Sequence, residues 1–353
     1  MKSHLLPSLV LFPILAVAAD LPPEVADGLY KQAKSQPGDR IERLKLNASI
    51  VEQGRNCLAD HPEVPPEAPG RDLLVRRVML PAARRLFADE ASPENRARLL
   101  DLANEVASSP LWEGHQLVEE KVGAAELIAR LECEKDRSVA ETQIRGLVDR
   151  YPLQADRPQS KDFHGQALVG ATRLAVSLGQ KKLADEFCPL IATDFLATAG
   201  ALDVLAAAGH PALLEGEMTT LDGKTLRFPD DAKGKVLVLD FWATWCGPCV
   251  ASLPHIREVR DKFKDKEVWI IGVGCDSPTA QETPDQNKKK VEDFVKAKNL
   301  DWTQTYAGQW PPLAVKYGVG RIPTVMVVGK DGRILSASAR GQEERLVLEA
   351  LGR

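Results

Sequence analysis

The 353-residue chain has no excess of charge of either sign: 46 Lys and Arg stand against 50 Asp and Glu, a formal net charge of −4. No basic stripe with interleaved aromatics occurs, so the electrostatic footprint of a nucleic-acid binder is missing and no nucleic-acid partner is expected. Beyond residue 19 no apolar run reaches the length of about 20 residues that a spanning helix needs. No fixed repeat period is present, and the signatures of tetratricopeptide and ankyrin repeats are absent. Cysteine is scarce, six in all, and the one CxxC has no second CxxC or His pair at the spacing of a structural zinc site. No metal and no cofactor is expected.

What is present begins with a leader-like segment. Met1-Lys2-Ser3-His4 precedes a mostly apolar run from Leu5 to Ala19, followed by Asp20-Leu21-Pro22-Pro23. A positive start, a short apolar core broken by Pro7 and Pro13, and small residues at Ala16 and Ala18 match a cleaved signal peptide over 1–19. The expectation is export to the periplasm or another extracytoplasmic compartment, with a soluble mature chain. No Cys stands at the cleavage point, so lipid attachment is not expected there. Outside the cytosol thiols oxidise unless a dedicated pathway keeps them reduced. An exported dithiol therefore implies an electron donor, expected at the membrane.

From 20 to 209 Leu/Ala-rich segments recur at helical spacing, for example Arg71 to Phe87, Pro93 to Ala107 and Gln116 to Leu131, and predict an all-helical domain of roughly seven to nine helices. Its role is not legible. Ser92-Pro93-Glu94 marks a helix start and Ser108-Ser109-Pro110 its end. Between Gly209 and Gly216 the pattern changes, and 210–353 reads as a second domain of alternating strands and helices, an α/β layer fold. Its predicted elements are a hairpin over Glu217 to Phe228 about Asp222-Gly223, a buried strand from Val236 to Ala243, and a helix from the CxxC to Lys262. Then come a strand over Val268 to Cys275, a helix over Asp285 to Lys298, a strand around Trp302 to Tyr306 and a helix near Leu313 to Tyr317. Strands over Thr324 to Val328 and Arg333 to Ala339, and a helix from Gln342 to Leu351, complete the domain.

Cys246 falls where the buried strand gives way to a helix, so free backbone N–H groups and the helix dipole favour its thiolate and make it the attacking sulfur. Cys249, one turn on, is placed to attack a mixed disulfide on Cys246 and release the partner. Asp240, in the middle of the apolar strand, should have its pKa raised by desolvation and pass protons to and from Cys249 near neutrality.

The run Asp240-Phe241-Trp242-Ala243-Thr244-Trp245-Cys246-Gly247-Pro248-Cys249 resembles the thioredoxin active site, with Pro254 matching the kink proline of the next helix. Tyr317-Gly318-Val319 and Ile322-Pro323-Thr324 resemble the family's second signature. The resemblance implies a cis peptide bond at Pro323, facing the dithiol, with Ile322 pairing its backbone to an extended substrate chain. The candidate substrate-binding residues are thus Trp245, Gly247, Pro248, Ile322 and Pro323. The leader, the hairpin and the extra helix and strand between Cys275 and Tyr306 resemble the TlpA and ResA group of extracytoplasmic thioredoxins, of the wider AhpC/TSA-redoxin type. That resemblance covers Gly216 to Arg353 and not the helical half. The group often carries Glu three residues after the second Cys, where Ser252 stands here, and commonly Asn where Asp240 stands.

The implied activity is a thiol:disulfide oxidoreductase that reduces disulfides in exported proteins, the Gly-Pro dipeptide between the cysteines being that of reducing thioredoxins. Cytochrome c precursors are the substrate class by analogy. A thiol peroxidase is a second possibility, although peroxiredoxins place Thr three residues before the attacking Cys and Ala243 stands there. A third is an envelope partner-binding protein whose redox domain is a responsive appendage. Among lesser signals, Cys57 and Cys133 are candidates for a pair with connectivity left open, and Cys188 and Cys275 read as buried thiols. Asn47-Ala48-Ser49 fits a glycosylation sequon inside a predicted helix. Lys288-Lys289-Lys290 reads as a solvated helix start, and His164, His210 and His255 as isolated residues. Trp242 reads as packing, and Trp310 either borders the docking groove or anchors a loop.

Overall fold

The computed structural model describes residues 20–66, 68–110 and 115–352. The expected leader, 1–19, lies outside them. The helical region opens with α1 (Pro23–Lys34) and α2 (Arg40–Asp60), the second capped by Asp39 accepting from the Glu42 amide. In α3 (Pro69–Leu73) the chain runs through wider π-type turns over Leu74–Met79 into α4 (Leu80–Asp89). Ser92 caps α5 (Pro93–Ala107), with proline in its first turn where no intrahelical donor is lost. There follow α6 (His115–Lys135), α7 (Ala140–Asp149), α8 (Ser160–Ser177), α9 (Lys181–Asp194) and α10 (Ala201–Ala207).

Strands begin only after α10, yet compactness divides the described residues within α6, between 128 and 129. In the first unit Ile50, Leu74, Met79, Leu99 and Leu102 are among the most fully buried side chains. Two of its buried polar groups are satisfied by nearby residues. Asp72 pairs with Arg76 one turn on, at 2.6 Å, and the Asn47 amide donates to Gln36 Oε1 and Arg43 O. Asn47 is fully buried, so its sequon is not on the surface.

In the second unit β1 (Gly216–Thr219) and β2 (Thr225–Phe228) form the expected hairpin. A five-stranded sheet follows in the order β5-β4-β3-β6-β7, built from β3 (Val236–Trp242), β4 (Val268–Gly274), β5 (Thr303–Tyr306), β6 (Thr324–Val328) and β7 (Ile334–Ser336). β3, β4 and β5 run parallel; β6 and β7 are antiparallel to their neighbours. β3 is central and buried at all seven positions, which is why its sequence is an apolar run and not an alternation. The helices α11 (Gly247–Phe263), α12 (Pro284–Ala297), α13 (Pro312–Lys316) and α14 (Glu343–Leu351) complete the layers. α11 and α14 cover the face of β3 that carries Val236 and Val238; the opposite face, with Leu237, Leu239 and Phe241, packs on the hairpin, α13 and Leu202 of α10. This is a thioredoxin-like fold, preceded by a helical region.

α10 thus belongs to the sheet's unit. Asp203 accepts hydrogen bonds from Ser336 Oγ at 2.8 Å, Ala337 N at 3.0 Å and Ser338 Oγ at 2.8 Å. The expected strand over Arg333 to Ala339 is accordingly cut to three residues, because the backbone at Ala337 bonds to a carboxylate and not to a ladder. Gly318, at φ 67°, marks another close approach: a Cβ there would come within 2.4 Å of Ala197 O.

Candidate active site

β3 ends at Trp242, and its exit loop is pinned from the neighbouring strand. Asp276, fully buried just beyond β4, accepts from Thr244 N at 3.0 Å and Thr244 Oγ at 2.5 Å. The loop delivers Cys246 to the cap position of α11, where its Sγ accepts from Cys249 N at 3.2 Å. That amide is one of the donors a helix start leaves unpaired, and here it is spent on sulfur. Cys246 and Cys249 are joined as a disulfide with Cα atoms 5.2 Å apart. Both sulfurs are nearly covered, whereas Gly247 and Pro248 are exposed and Trp245 is 63% exposed.

The Ile322–Pro323 peptide bond is cis, as is Phe228–Pro229, which the sequence did not mark. Register places the first of these. Thr324 of β6 lies opposite Phe241 of β3, so Ile322 and Pro323 sit at the end of the sheet from which the Cys246 loop emerges. Both are half-buried. Trp310 donates from Nε1 to Val319 O at 2.8 Å, which makes it a loop anchor.

Asp240 is 2% exposed and shares a face of β3 with Val236 and Val238, under α11 and α14. Its pKa is pushed up to about 7, first by burial and then by the like charge of Glu343, with Arg340 opposing. Cys275, at the end of the adjacent strand, is raised to about 12 by burial and by Asp276 and Asp240, so it is an inert thiol at neutral pH. Trp242 is buried, stacks on Phe294 of α12 at 5.3 Å and donates to Gln304 Oε1 at 3.1 Å. Gly272 makes room for that amide, since a Cβ there would sit 2.0 Å from Gln304 Oε1.

Other expectations meet different outcomes. Cys57 and Cys133 are both buried free thiols, not a disulfide, and burial raises the pKa of each. Ser252 donates to Cys249 O, a helix contact that supplies no acid. His255 is not isolated: its Nε2 lies 3.1 Å from Glu343 Oε2. Asp276, Glu343 and Gln304 carried no local signal, being polar residues in amphipathic or turn-like surroundings.

Comparison with known proteins places this arrangement. The Redoxin family model matches residues 207–349. Thiol-disulfide oxidoreductase ResA of a Bacillus cereus strain is 32% identical over 118 residues, 33% of this chain and 62% of the relative. ResA of Bacillus thuringiensis subsp. konkukian is 31% identical over 132 residues, 37% of this chain and 69% of the relative. The chain thus spans less than two thirds of the first relative's length and slightly more of the second's. Among solved structures, a thiol-disulfide oxidoreductase from Bacteroides vulgatus matches at 28% identity and a TM-score of 0.34, over 40% of this chain and 96% of that one.

Proposed function

From the premise that the chain belongs to the family of ResA thiol-disulfide oxidoreductases, we propose that it reduces disulfides in exported proteins through Cys246 and Cys249. The observation that carries this is the cap geometry: the sulfur of Cys246 takes a helix-start amide while Cys249 stands one turn behind it. In the reduced protein the Cys246 thiolate attacks a substrate disulfide, forming a mixed disulfide and expelling one substrate thiolate. Cys249 gives its proton to Asp240 and attacks Cys246 Sγ. The bond from Cys246 to the substrate breaks, the second substrate thiolate leaves, and the Cys246–Cys249 disulfide remains.

Trp245, Gly247 and Pro248 present the exposed platform beside the sulfurs, and Ile322 with Pro323 offers backbone to an extended chain. Reduction is the favoured direction because the Gly247-Pro248 dipeptide resembles that of reducing thioredoxins. The leader-like 1–19 segment supports a periplasmic or otherwise extracytoplasmic site, where a membrane donor would re-reduce the disulfide. Cytochrome c precursors are the substrate class we favour.

Equilibrating the protein against defined thiol buffers and reading alkylation by mass spectrometry gives the potential of the pair. A value of about −250 mV or below fits a reductant, whereas one near −120 mV makes the protein an oxidant and overturns the proposed direction.

A further inference from the structure

A carboxyl group that takes and returns protons must exchange them with solvent, and Asp240 is 2% exposed. The two helices that cover its face of the sheet, α11 and α14, carry further titratable groups. Asp240 stands opposite Val325 of β6. Ala339 N donates to Val325 O at 2.9 Å and Gln342 N to Ala339 O at 2.8 Å, so the chain enters α14 against that same register position. The first residue of α14 is Glu343, 1% exposed. Its Oε1 is buried without a hydrogen-bond partner, and its Oε2 meets His255 Nε2 of α11 at 3.1 Å. The His255 side chain is 46% exposed. Ile256 and Val259 of α11 and Leu346 and Val347 of α14 share one cluster with Val236 and Val238 of β3, which holds the three groups on packed, rigid elements.

Burying a carboxylate with an open oxygen is unfavourable. Acidic residues gain from a helix N-terminus, yet the neighbouring Glu344 occupies the same turn half-exposed and paired with Lys262. The dipole alone thus gives no reason to bury Glu343. The remaining charges nearby are Arg340, whose field reaches Asp240, and Glu258, whose Oε2 is 3.9 Å from His255 Nδ1. β4 and β6 place Gly272 and Val325 beside Asp240, with no charge, and Cys275 at the end of β4 feels its field.

We propose that Glu343 and His255 form a proton path joining Asp240 to solvent, which rests on Asp240 being the acceptor for Cys249. The proton that leaves Cys249 as it attacks Cys246 Sγ passes to Asp240, then to Glu343 across a gap that one water must bridge, since Glu343 Oε1 has no hydrogen-bond partner of its own, then to His255 and out; re-reduction runs the path backwards. Electrons move only between sulfurs.

The test uses the full-length reduced protein and a chromogenic aromatic disulfide in stopped flow, across pH in weak buffer. The first thiolate release reports Cys246 attack and the second reports Cys249. We expect His255→Gln and Glu343→Gln to slow the second phase at least about 10-fold with the first unchanged, and added imidazole to restore His255→Gln. Glu343→Gln should also move the midpoint of the pH profile downward, because a negative charge beside Asp240 is gone. Asp240→Asn should flatten that profile. If Asp240→Asn flattens it while both other variants follow the unchanged protein at every pH, the path is wrong and the acceptor stands. If Asp240→Asn has no effect, the acceptor falls and the path with it. Should Glu343→Gln fail to fold, the half-exposed His255→Gln decides alone.

Discussion

Asp72 in the helical unit and Asp240 in the sheet unit are both buried carboxylates, and their surroundings differ in kind. Asp72 sits one helical turn from Arg76 and bonds to it through Nε and Nη2. Asp240 lies on an apolar face and within the field of a second carboxylate, Glu343. A charge buried beside its counter-ion holds a structure together, whereas one buried beside a like charge is poised to take up a proton near neutral pH. The first arrangement follows from residues four apart; the second requires residues brought together by the fold.

The largest expected effect concerns Asp240. Its folded pKa of about 7 lies above the ordinary 3.8. Below both values the group is protonated in either state and has no influence on stability. Between them the unfolded chain releases the proton while the folded chain keeps it, so stability falls as pH rises, by a total on the order of 4 kcal/mol. Melting curves of oxidised Asp240→Asn should lack this decline between about pH 4 and pH 7; parallel losses in both proteins would erase the contrast with Asp72. Next in size, Asp72→Ala removes two charge-assisted hydrogen bonds from Arg76, which keeps its ion pair with Glu120, and should lower stability by about 3 kcal/mol in urea titration, with disulfide exchange unchanged. An equal loss of exchange would mean that the two carboxylates are not separable by role. The smallest effect sharpens the comparison with a third carboxylate. Asp203→Ala removes three hydrogen bonds and should remove about 2 kcal/mol, seen as fast hydrogen exchange at the Ala337 amide while the pH profile of exchange stays put.

These cases also separate what the chain declares locally from what it does not. β3, the hairpin about Asp222-Gly223 and the dithiol at a strand-to-helix junction were legible because each is written within a dozen residues, as an apolar run, a turn dipeptide or a CxxC. Asp240 was legible as a charge inside that run. The Glu343–His255 contact was not, because it joins residues 88 apart and each alone looks like a residue on an amphipathic helix. The shortness of β7 was equally hidden, since Ser336-Ala337-Ser338 reads as strand until Asp203 of α10 is brought to it. The free state of Cys57 and Cys133 was open for the same reason: helix-end positions say nothing of distance.

The Asp203 clasp also bears on the order of assembly. Its bonds close loops of 133 to 135 residues, and loop closure of that span weighs on folding speed more than on final stability. In a chain made from the N-terminus, α10 exists long before Ser336 does, so the sheet's outer edge can be latched only when nearly all of the polypeptide is available. A chain cut short before residue 336 keeps its dithiol motif and lacks the latch.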